Sequence, residues 1–243
     1  MNQSSSLAIV LAAGKGTRMN QEIPKPLVPI SGNPIISWIV KSFADNDIDT
    51  AIVINPKDKK SFKFFDKNVK LVFQEEQKGT GHAVLQALEL ISTYKYIYVF
   101  VGDSPFIGAD IISDLYTEHI KSNSDVTILT SVFNNKKFPY ARIVRNSKKD
   151  IIKVVEELSA NEKEKQIDEL FGSHYLFKSE ILIKYLTQLK PNKINGEVYL
   201  TDILNEFIVD DLNVKSLKIT DWRKLVGLNS MEDIEWAESQ KIL

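Results

Sequence analysis

The chain has no cysteine among its 243 residues and almost no net charge. The lack of cysteine excludes disulfides, thiolate metal ligands and cysteine nucleophiles. Lysine and arginine together number 31, against 32 aspartate and glutamate residues, so neither sign is in excess. Nothing in this balance attracts nucleic acid or a membrane surface, and any bound anion must be held by a local cluster of groups.

Long apolar runs and targeting signals are also missing. The first six residues, MNQSSS, contain no basic residue, and no stretch approaches the roughly 18 apolar residues of a membrane-spanning helix. We therefore expect a cytoplasmic protein with neither a membrane nor a nucleic-acid partner. The length and the hydrophobic fraction of 43% are ordinary for a globular domain, which we expect to cover residues 1–243.

The segment Leu7–Lys25 has the pattern of a strand that ends in an anion-binding loop. Its apolar, β-branched start is typical of a buried strand, and Gly14 and Gly16 follow it. Glycine lets backbone N–H groups approach an anion closely. Three cations lie in the same segment, namely Lys15, Arg18 and Lys25. The pattern indicates a nucleotide site, and a glycine turn with solvated surface cations is the alternative.

Two common nucleotide-binding loops do not match this segment. A dinucleotide fingerprint requires a third glycine where this chain has Met19, and an acidic residue where it has Asn55-Pro56. A P-loop requires GxxxxGK followed by serine or threonine, and the sequence contains no such run. The loop is therefore of another type.

Strand-like and helix-like segments alternate through the first half of the chain. The pattern predicts strands at 51–54, 69–73 and 96–101, and helices at 34–43, 62–65 and 82–91, with Asn33 as the cap of the first helix. This alternation predicts an α/β fold with a Rossmann-like, mixed but mostly parallel sheet and helices on both faces.

Polar residues follow three of the predicted parallel strands. They are the loop after Leu11, Gln74, and Gly102-Asp103. Because the carboxyl ends of parallel strands meet at one edge of a sheet, these distant residues can share a ligand. We therefore expect the binding site at this edge.

From about residue 125 the apolar pattern loosens. It predicts strands at 125–132, 141–145, 151–156, 172–178 and 214–219, and helices at 179–189, 200–209 and 231–242. Polar alternation in these strands is typical of a mixed or antiparallel extension. We interpret this half as a smaller substrate lobe.

Five blocks, in order, resemble the sugar-1-phosphate nucleotidyltransferases, in particular the uridylyltransferase half of bacterial UDP-N-acetylglucosamine pyrophosphorylases. The blocks are Leu11–Met19 with Pro24-Lys25, Gln74–Ala83, Gly102-Asp103, Gly196–Asp202 and Gly227–Asn229. The similarity runs over nearly the whole chain. It implies a nucleotide-diphospho-sugar transferase-like fold, with a nucleotide-binding half at about 1–122 and a sugar-binding half with closing helices at about 123–243.

The resemblance implies a magnesium site and two catalytic cations. Asp103 and Asn229 are the implied Mg²⁺ ligands, and a carboxylate with substrate phosphate oxygens suits this hard cation. A turn or helix-capping aspartate is the alternative for Asp103. Lys25 is implied at the phosphates of the reacting centre and Arg18 at the departing pyrophosphate.

The base is expected to be read by Gln74, whose amide offers a donor and an acceptor to a pyrimidine edge. This favours UTP, but an amide that can flip does not reliably reject cytosine, so CTP stays open. His82 either meets a phosphate or lies on a helix surface. The expected nucleotide-binding residues are Leu11, Ala12, Ala13, Gly14, Lys15, Gly16, Gln74, Gly79 and Thr80.

The expected sugar pocket departs from the family pattern. Glu156 matches the sugar-contacting glutamate of the family, but Ala141 stands where the family has glycine, and Phe171-Gly172-Ser173 stands for Asn-Thr-Gly. Phe171 removes a polar group and adds a stacking face, which can change selectivity by about 1 kcal/mol or more. The expected substrate-binding residues are Gly102, Ala141, Glu156, Phe171, Glu197 and Thr201.

These features predict a Mg²⁺-dependent enzyme that condenses UTP with a sugar 1-phosphate, N-acetylglucosamine 1-phosphate or a related sugar, to give UDP-sugar and pyrophosphate. Such a product would serve cell-envelope synthesis, and a homo-oligomer is compatible with the sequence. A CTP-dependent enzyme acting on a phosphorylated sugar or alcohol is one alternative, and a non-catalytic nucleotide-sugar-binding regulatory protein is another. Because no hexapeptide repeat is present, we expect only the nucleotidyl step.

Overall fold

A computed structural model describes residues 3, 5–14, 23–65, 68–133, 138–193 and 195–240 of the chain. Three expected site residues, Lys15, Gly16 and Arg18, lie outside these ranges. Within them, no helix is long and apolar enough to cross a membrane.

The described ranges contain strands and helices that alternate through most of the chain. The strands are β1 (Ser6–Leu11), β2 (Pro29–Ile30), β3 (Asn33–Pro34), β4 (Asp49–Ile54), β5 (Val69–Phe73), β6 (Tyr96–Val101), β7 (Val126–Val132), β8 (Ala141–Arg145), β9 (Ile151–Val155), β10 (Glu169–Lys178) and β11 (Val214–Ile219). The α-helices are α1 (Ile35–Ala44), α2 (Thr80–Leu85), α3 (Leu88–Ile91), α4 (Ala109–Lys121), α5 (Ser179–Leu186), α6 (Asp202–Val209) and α7 (Met231–Gln240).

One large sheet organises these elements. Its main path has the order β11-β7-β10-β6-β1-β4-β5, and the β8–β9 hairpin extends from β10. Strands β6, β1, β4 and β5 are parallel to one another, and β11 is parallel to β7. Strand β10 is antiparallel to both β6 and β7. The mixed, mostly parallel sheet predicted from the sequence is confirmed.

Apolar side chains cover both faces of this sheet. Alternate residues of β1 point to opposite sides, so Ala8 and Val10 pack with α1 and α4, while Leu7 and Ile9 pack with α2, α5 and α6. These four side chains are fully buried. Helices therefore lie on both faces, as the unbroken apolar run of β1 indicates.

Strand β10 returns the second half of the chain to the edge where β6 ends. Tyr175 pairs with Val99 in the antiparallel register, which brings the start of β10 close to the carboxyl end of β6. The pairing of β10 with β7 shifts between Phe171 and Tyr175, and Ser173 there has a φ of +64°. This bulge turns residues 171–173 toward the site edge.

The first helix begins one residue later than its sequence pattern predicts. Asn33–Pro34 pairs with Pro29–Ile30 in a short antiparallel ladder, so its backbone is extended. Pro34, at φ −52° and ψ 139°, is the N-cap, and helix α1 begins at Ile35. The prediction that Asn33 caps the helix was wrong because the ladder uses that residue.

Two other predicted helices also differ from the structure. Residues 62–65 form turns, with an isolated hydrogen bond from Phe65 N–H to the Phe62 carbonyl. The helix predicted at 82–91 is two helices, α2 and α3, because Ala87 has φ −96° and ψ 11° and breaks the helical backbone.

Candidate active site

Two cavities adjoin at the carboxyl edge of the sheet. The first has a volume of about 390 Å³, and it is lined by Leu11, Ala12, Ala13, Gly14, Lys25, Pro26, Gln74, Gln77, Gly79, Thr80, Ala83, Val101, Asp103, Glu197 and Tyr199. The second has a volume of about 190 Å³, and it is lined by Val101, Asp103, Ser104, Pro139, Tyr140, Ala141, Glu156, Phe171, Gly172, Ser173, Gly227 and Asn229. Val101 and Asp103 belong to both walls, so the cavities meet at the end of β6.

Gln74 holds a fixed orientation in the first cavity. Its side chain is 3% exposed, and Nε2 donates to the Gly79 carbonyl at 3.1 Å and lies 3.0 Å from His82 Nδ1. A carbonyl only accepts hydrogen bonds, so this contact requires the amide nitrogen on that side. The carboxamide oxygen Oε1 has no partner among the described residues and is the atom available to a ligand.

A glycine loop forms the wall beside Gln74. Gly79 has a φ of +101°, and a Cβ at this position would lie 2.5 Å from the Val198 carbonyl oxygen. The loop pairs with the backbone around Val198 through Gly81 N–H to Val198 O and Val198 N–H to Lys78 O, both at 2.8 Å. Only glycine fits both this conformation and this close approach.

The loop after β1 closes the opposite wall of the same cavity. Gln77 donates to the carbonyl of Ala13, and Ala12 N–H donates to the Val53 carbonyl at 2.8 Å. Ala12 and Ala13 are each 4% exposed, so small side chains let the backbone line the cavity. The wall is therefore made mostly of main chain held by neighbouring segments.

Charged and amide groups converge where the two cavities meet. Lys25 Nζ forms an ion pair with Asp103 Oδ2 and lies 3.2 Å from Asn229 Oδ1. Asn229 Nδ2 donates to the Gly227 carbonyl at 2.9 Å, which leaves its oxygen Oδ1 facing Lys25. A carboxylate and an amide oxygen that already face a cation fit Mg²⁺, which prefers oxygen ligands and completes its shell with phosphate oxygens and water.

The second cavity has a carboxylate on one wall. Burial raises the pKa of the Glu156 carboxyl, a hydrogen bond with Thr201 opposes that rise, and the neighbouring Asp202 carboxylate adds to it. The Thr201 hydroxyl lies 3.1 Å from the Tyr175 hydroxyl, and both residues are buried. The hydrogen bonds that link Glu156, Thr201 and Tyr175 fix the position of the Glu156 carboxyl group.

An aromatic side chain forms another wall of the second cavity. Phe171 is 1% exposed, and its ring meets the Tyr175 ring edge-on at 4.9 Å. Ala141 lies beside it, because Phe171 and Ala141 are paired across β10 and β8. Buried Arg142, next in the chain, forms an ion pair with Glu157 and anchors this hairpin.

Comparison with known proteins identifies the family. The sequence profile of the MobA-like NTP transferase domain matches residues 8–177. The chain belongs to this family.

Curated relatives of this NTP transferase domain carry the name bifunctional protein GlmU. The protein from Thermosipho melanesiensis is 36% identical over 222 residues, which cover 91% of this chain and 47% of the relative. The protein from Acetivibrio thermocellus is 34% identical over 240 residues, which cover 98% and 51% respectively. The chain thus spans about half the length of the curated relatives it matches.

Solved structures share the fold of this NTP transferase domain. UDP-glucose pyrophosphorylase in complex with UDP-glucose is 21% identical and matches with a TM-score of 0.80 over 97% of both chains. A Bacillus anthracis protein assigned as glucose-1-phosphate thymidylyltransferase is 19% identical and matches with a TM-score of 0.78 over 97% of this chain and 94% of the other. The resemblance seen in the motifs is thereby confirmed for the family, and the predicted fold class is confirmed with it.

The structure brings together most of the residues that the sequence singled out, with three exceptions to the expected grouping. Gly102 lines neither cavity; a Cβ there would lie 3.0 Å from the Leu11 carbonyl oxygen, so the glycine lets β6 end close to β1. Thr201 also lies behind the walls, against Tyr175. Glu197 lines the first cavity and not the second, where the sequence had grouped it.

Sequence reasoning missed several side chains of this NTP transferase domain. Gln77 and Tyr199 lie in motifs that were quoted, yet neither was selected as a site residue, although both line the first cavity. Tyr140, on the wall of the second cavity, accepts a hydrogen bond from Gly227 N–H at 2.9 Å. Only the position of Tyr140 beside Ala141 in the chain could have indicated it.

Proposed function

We propose that this domain is a sugar-1-phosphate uridylyltransferase that joins UTP to a sugar 1-phosphate and releases pyrophosphate. N-acetylglucosamine 1-phosphate or a related sugar is the proposed acceptor, and Mg²⁺ the proposed cofactor. The observation that carries this proposal is the meeting of two cavities at Asp103, beside a cation and an amide oxygen. We assign the nucleotide to the larger cavity and the sugar to the smaller one.

The orientation of Gln74 supports uracil as the base. With Nε2 committed to Gly79 and His82, Oε1 is left to accept a hydrogen bond from the ligand. Uracil and thymine carry a hydrogen on N3, whereas cytosine has an acceptor there. Cytosine reaches this oxygen only through its exocyclic amine, in a shifted position. The same geometry suits thymine, so dTTP belongs in the test.

The chemistry follows from positioning and charge. A sugar 1-phosphate supplies its own nucleophilic oxygen, so the reaction requires no side-chain nucleophile. Asp103 and Asn229 are the proposed holders of Mg²⁺, which when bound neutralises charge on the reacting phosphates. Lys25 places its ammonium beside the same point, and Arg18 is proposed to bind the leaving pyrophosphate. The nucleophilic oxygen attacks the α-phosphorus, and the bond to the β-phosphate breaks.

The second cavity supports a sugar as the partner of this reaction. Glu156 offers acceptor oxygens to sugar hydroxyl groups, and its place is fixed by the buried chain through Thr201 and Tyr175. Phe171 gives another part of the wall an apolar face. An aromatic ring stacks on the C–H face of a sugar but offers no hydrogen bond to an acetamido group. The identity of the sugar therefore depends on Phe171.

The proposal is tested by pyrophosphate release with Mg²⁺, using UTP, dTTP and CTP, each with a panel of sugar 1-phosphates and phosphorylated alcohols. UTP paired with one of the sugar 1-phosphates is expected to give the highest kcat/KM. A preference for CTP with any acceptor would replace this function by a cytidylyltransferase. Tight nucleotide-sugar binding with no turnover of any pair would favour the regulatory alternative.

A further inference from the structure

The ammonium of Lys25 lies at the point where two oxygen ligands converge. Nζ contacts Asp103 Oδ2 and is 3.2 Å from Asn229 Oδ1. These two oxygens are the ones assigned above to Mg²⁺, and this inference rests on that assignment. An ammonium and a divalent cation repel each other at such distances, so Lys25 competes with a metal ion for these oxygens.

Both ligand residues are anchored by contacts that do not involve Lys25. Asn229 Nδ2 donates to Gly227 O at 2.9 Å, and its backbone N–H donates to Asp233 Oδ2 at 2.6 Å. The backbone carbonyl of Asp103 accepts from Leu228 N–H at 2.9 Å. A Cβ at Gly227 would lie 2.8 Å from Asp103 Oδ1, so the glycine makes room for the carboxylate. The Asn229 amide and the Asp103 backbone are therefore held independently of the lysine.

Lys25 combines a fixed backbone with a long side chain. It begins a short 3₁₀ turn, Lys25–Leu27, in which Leu27 N–H donates to Pro24 O at 2.8 Å and Pro26 is buried. Four methylene groups separate this anchored backbone from the ammonium. Lys25 also lines the first cavity, so its ammonium can move from Asp103 to a phosphate without any backbone change.

We propose that Lys25 is a placeholder cation, occupying the metal ligands until a nucleotide triphosphate draws its ammonium onto the phosphates. In the protein without nucleotide, the lysine neutralises the carboxylate and competes with a metal ion. Nucleotide binding removes this competitor, so metal and nucleotide each strengthen the binding of the other. Lys25 thus favours binding of the nucleotide before the metal ion, because the Asp103 carboxylate is neutralised by the lysine until the nucleotide is present.

The test measures Mn²⁺ binding to the full chain in the absence of nucleotide, by the electron paramagnetic resonance signal of the free ion. Lys25→Met is expected to lower the Mn²⁺ dissociation constant by about tenfold, within the usual range of linked sites, while Lys25→Arg keeps the weak binding of the wild type. Lys41→Met is the matched control, because it also removes a lysine that pairs with a carboxylate, Asp45, at an exposed position. Lys25→Met with unchanged or weaker Mn²⁺ binding would overturn the proposal.

Two further measurements test whether Lys25 moves and whether Mn²⁺ binds at Asp103. With a saturating UTP analogue carrying a methylene bridge between the α- and β-phosphates, the affinities of wild type and Lys25→Met are expected to agree within about twofold. A tenfold difference in Mn²⁺ affinity that persists with the analogue would contradict the proposal that Lys25 leaves the metal ligands when nucleotide binds. In the double variant Lys25→Met/Asp103→Asn the tight site should be lost, and its survival would show that the metal binds elsewhere. Turnover by the wild type is measured separately. A negative result for Lys25 in the Mn²⁺ experiments therefore does not affect the proposed uridylyltransferase function.

Discussion

The two cavities differ in how they are built. The larger one has, beside polar side chains such as Gln74, a wall of small residues from the loop after β1 and from the loop around Gly79. The smaller one is lined by side chains from β8, β10 and the segment after β9, held by contacts such as Thr201 to Tyr175. A site made of backbone depends on a few glycines, whereas a site made of side chains changes its ligand with single substitutions.

The largest effect is expected at Asp103, where the cavities join. Asp103→Ala should lower kcat by about a thousandfold or more, because the proposed metal ion, which neutralises charge on the reacting phosphates, loses a ligand. Asp110→Ala removes an exposed carboxylate that pairs with Lys224 and should stay close to wild type. Both are measured by pyrophosphate release with circular dichroism as a check of folding. Full turnover by Asp103→Ala would exclude the proposed metal-binding role of Asp103.

The next effect tests the backbone wall. Gly79→Ala places a Cβ 2.5 Å from the Val198 carbonyl oxygen at a φ of +101°, so the loop must move. We expect the KM for UTP to rise by about tenfold or more, since the loop carries the contact to Gln74. Gly32→Ala is the control, because Gly32 has a φ of +81° but open space around it. It should cost about 1 kcal/mol of stability and leave KM unchanged.

Equal KM values for Gly79→Ala and wild type would contradict this expectation. They would mean that the loop around Gly79 does not hold the nucleotide, and that the larger cavity owes its binding to side chains.

The wall of the smaller cavity is tested by Phe171→Asn. This change restores a polar amide and should shift the ratio of kcat/KM between N-acetylglucosamine 1-phosphate and glucose 1-phosphate by about tenfold. Phe171→Leu keeps an apolar wall and should shift the ratio much less. The preference among UTP, dTTP and CTP should be unchanged in both variants. An unchanged sugar ratio in Phe171→Asn would show that Phe171 does not set selectivity.

A smaller effect is expected from Gln74→Leu, which removes one hydrogen-bond acceptor for the base. A net hydrogen bond is worth about 0.5–1.5 kcal/mol, so kcat/KM for UTP should fall by about three- to tenfold, and the advantage over CTP should shrink. The control is Gln86→Leu, because Gln86 is a carboxamide that donates to the His82 carbonyl at 3.1 Å on an exposed surface. A variant that keeps its full preference for UTP would exclude Gln74 as the reader of the base.

The smallest effect concerns how the folding stability of the protein changes with pH through Glu156, which lines the smaller cavity. Burial raises the pKa of Glu156 above its ordinary value of 4.5, so the folded state favours the protonated carboxyl. The contribution is fully present below pH 4.5 and is lost as the pH rises through the raised pKa. Relative to Glu156→Gln, the wild type should therefore lose stability in urea unfolding as the pH rises above 4.5. A wild type that gains stability over the variant as the pH rises would contradict this sign.

The sequence was sufficient for the parts of the site that follow strand ends. Gln74 and Asp103 each come directly after an apolar run, and parallel strands bring their carboxyl ends to one edge. The lengths of those runs and the direction of the sheet therefore located both residues without any tertiary information. The bounds of β5, β6, β8 and β11 were also predicted correctly.

Side-chain contacts between distant segments could not be predicted in this way. Gln77 reaches the Ala13 carbonyl, and Thr201 reaches Tyr175, across elements whose packing depends on the whole fold. The pairing of Asn33–Pro34 with Pro29–Ile30 likewise overrode a local capping signal. Such contacts depend on tertiary geometry, which neither periodicity nor spacing encodes.

The most direct test of the account follows the α-phosphorus of UTP. The protein is incubated with Mg²⁺, UTP labelled with ³²P at the α position, and a panel of sugar 1-phosphates, and the products are separated by chromatography. We expect the label to move into a UDP-sugar with one of the sugars, and we expect this transfer to disappear in Asp103→Ala. Label that stays in UTP with every sugar, or that is released only as UMP, would contradict the proposal that the two cavities hold the two substrates of one transfer.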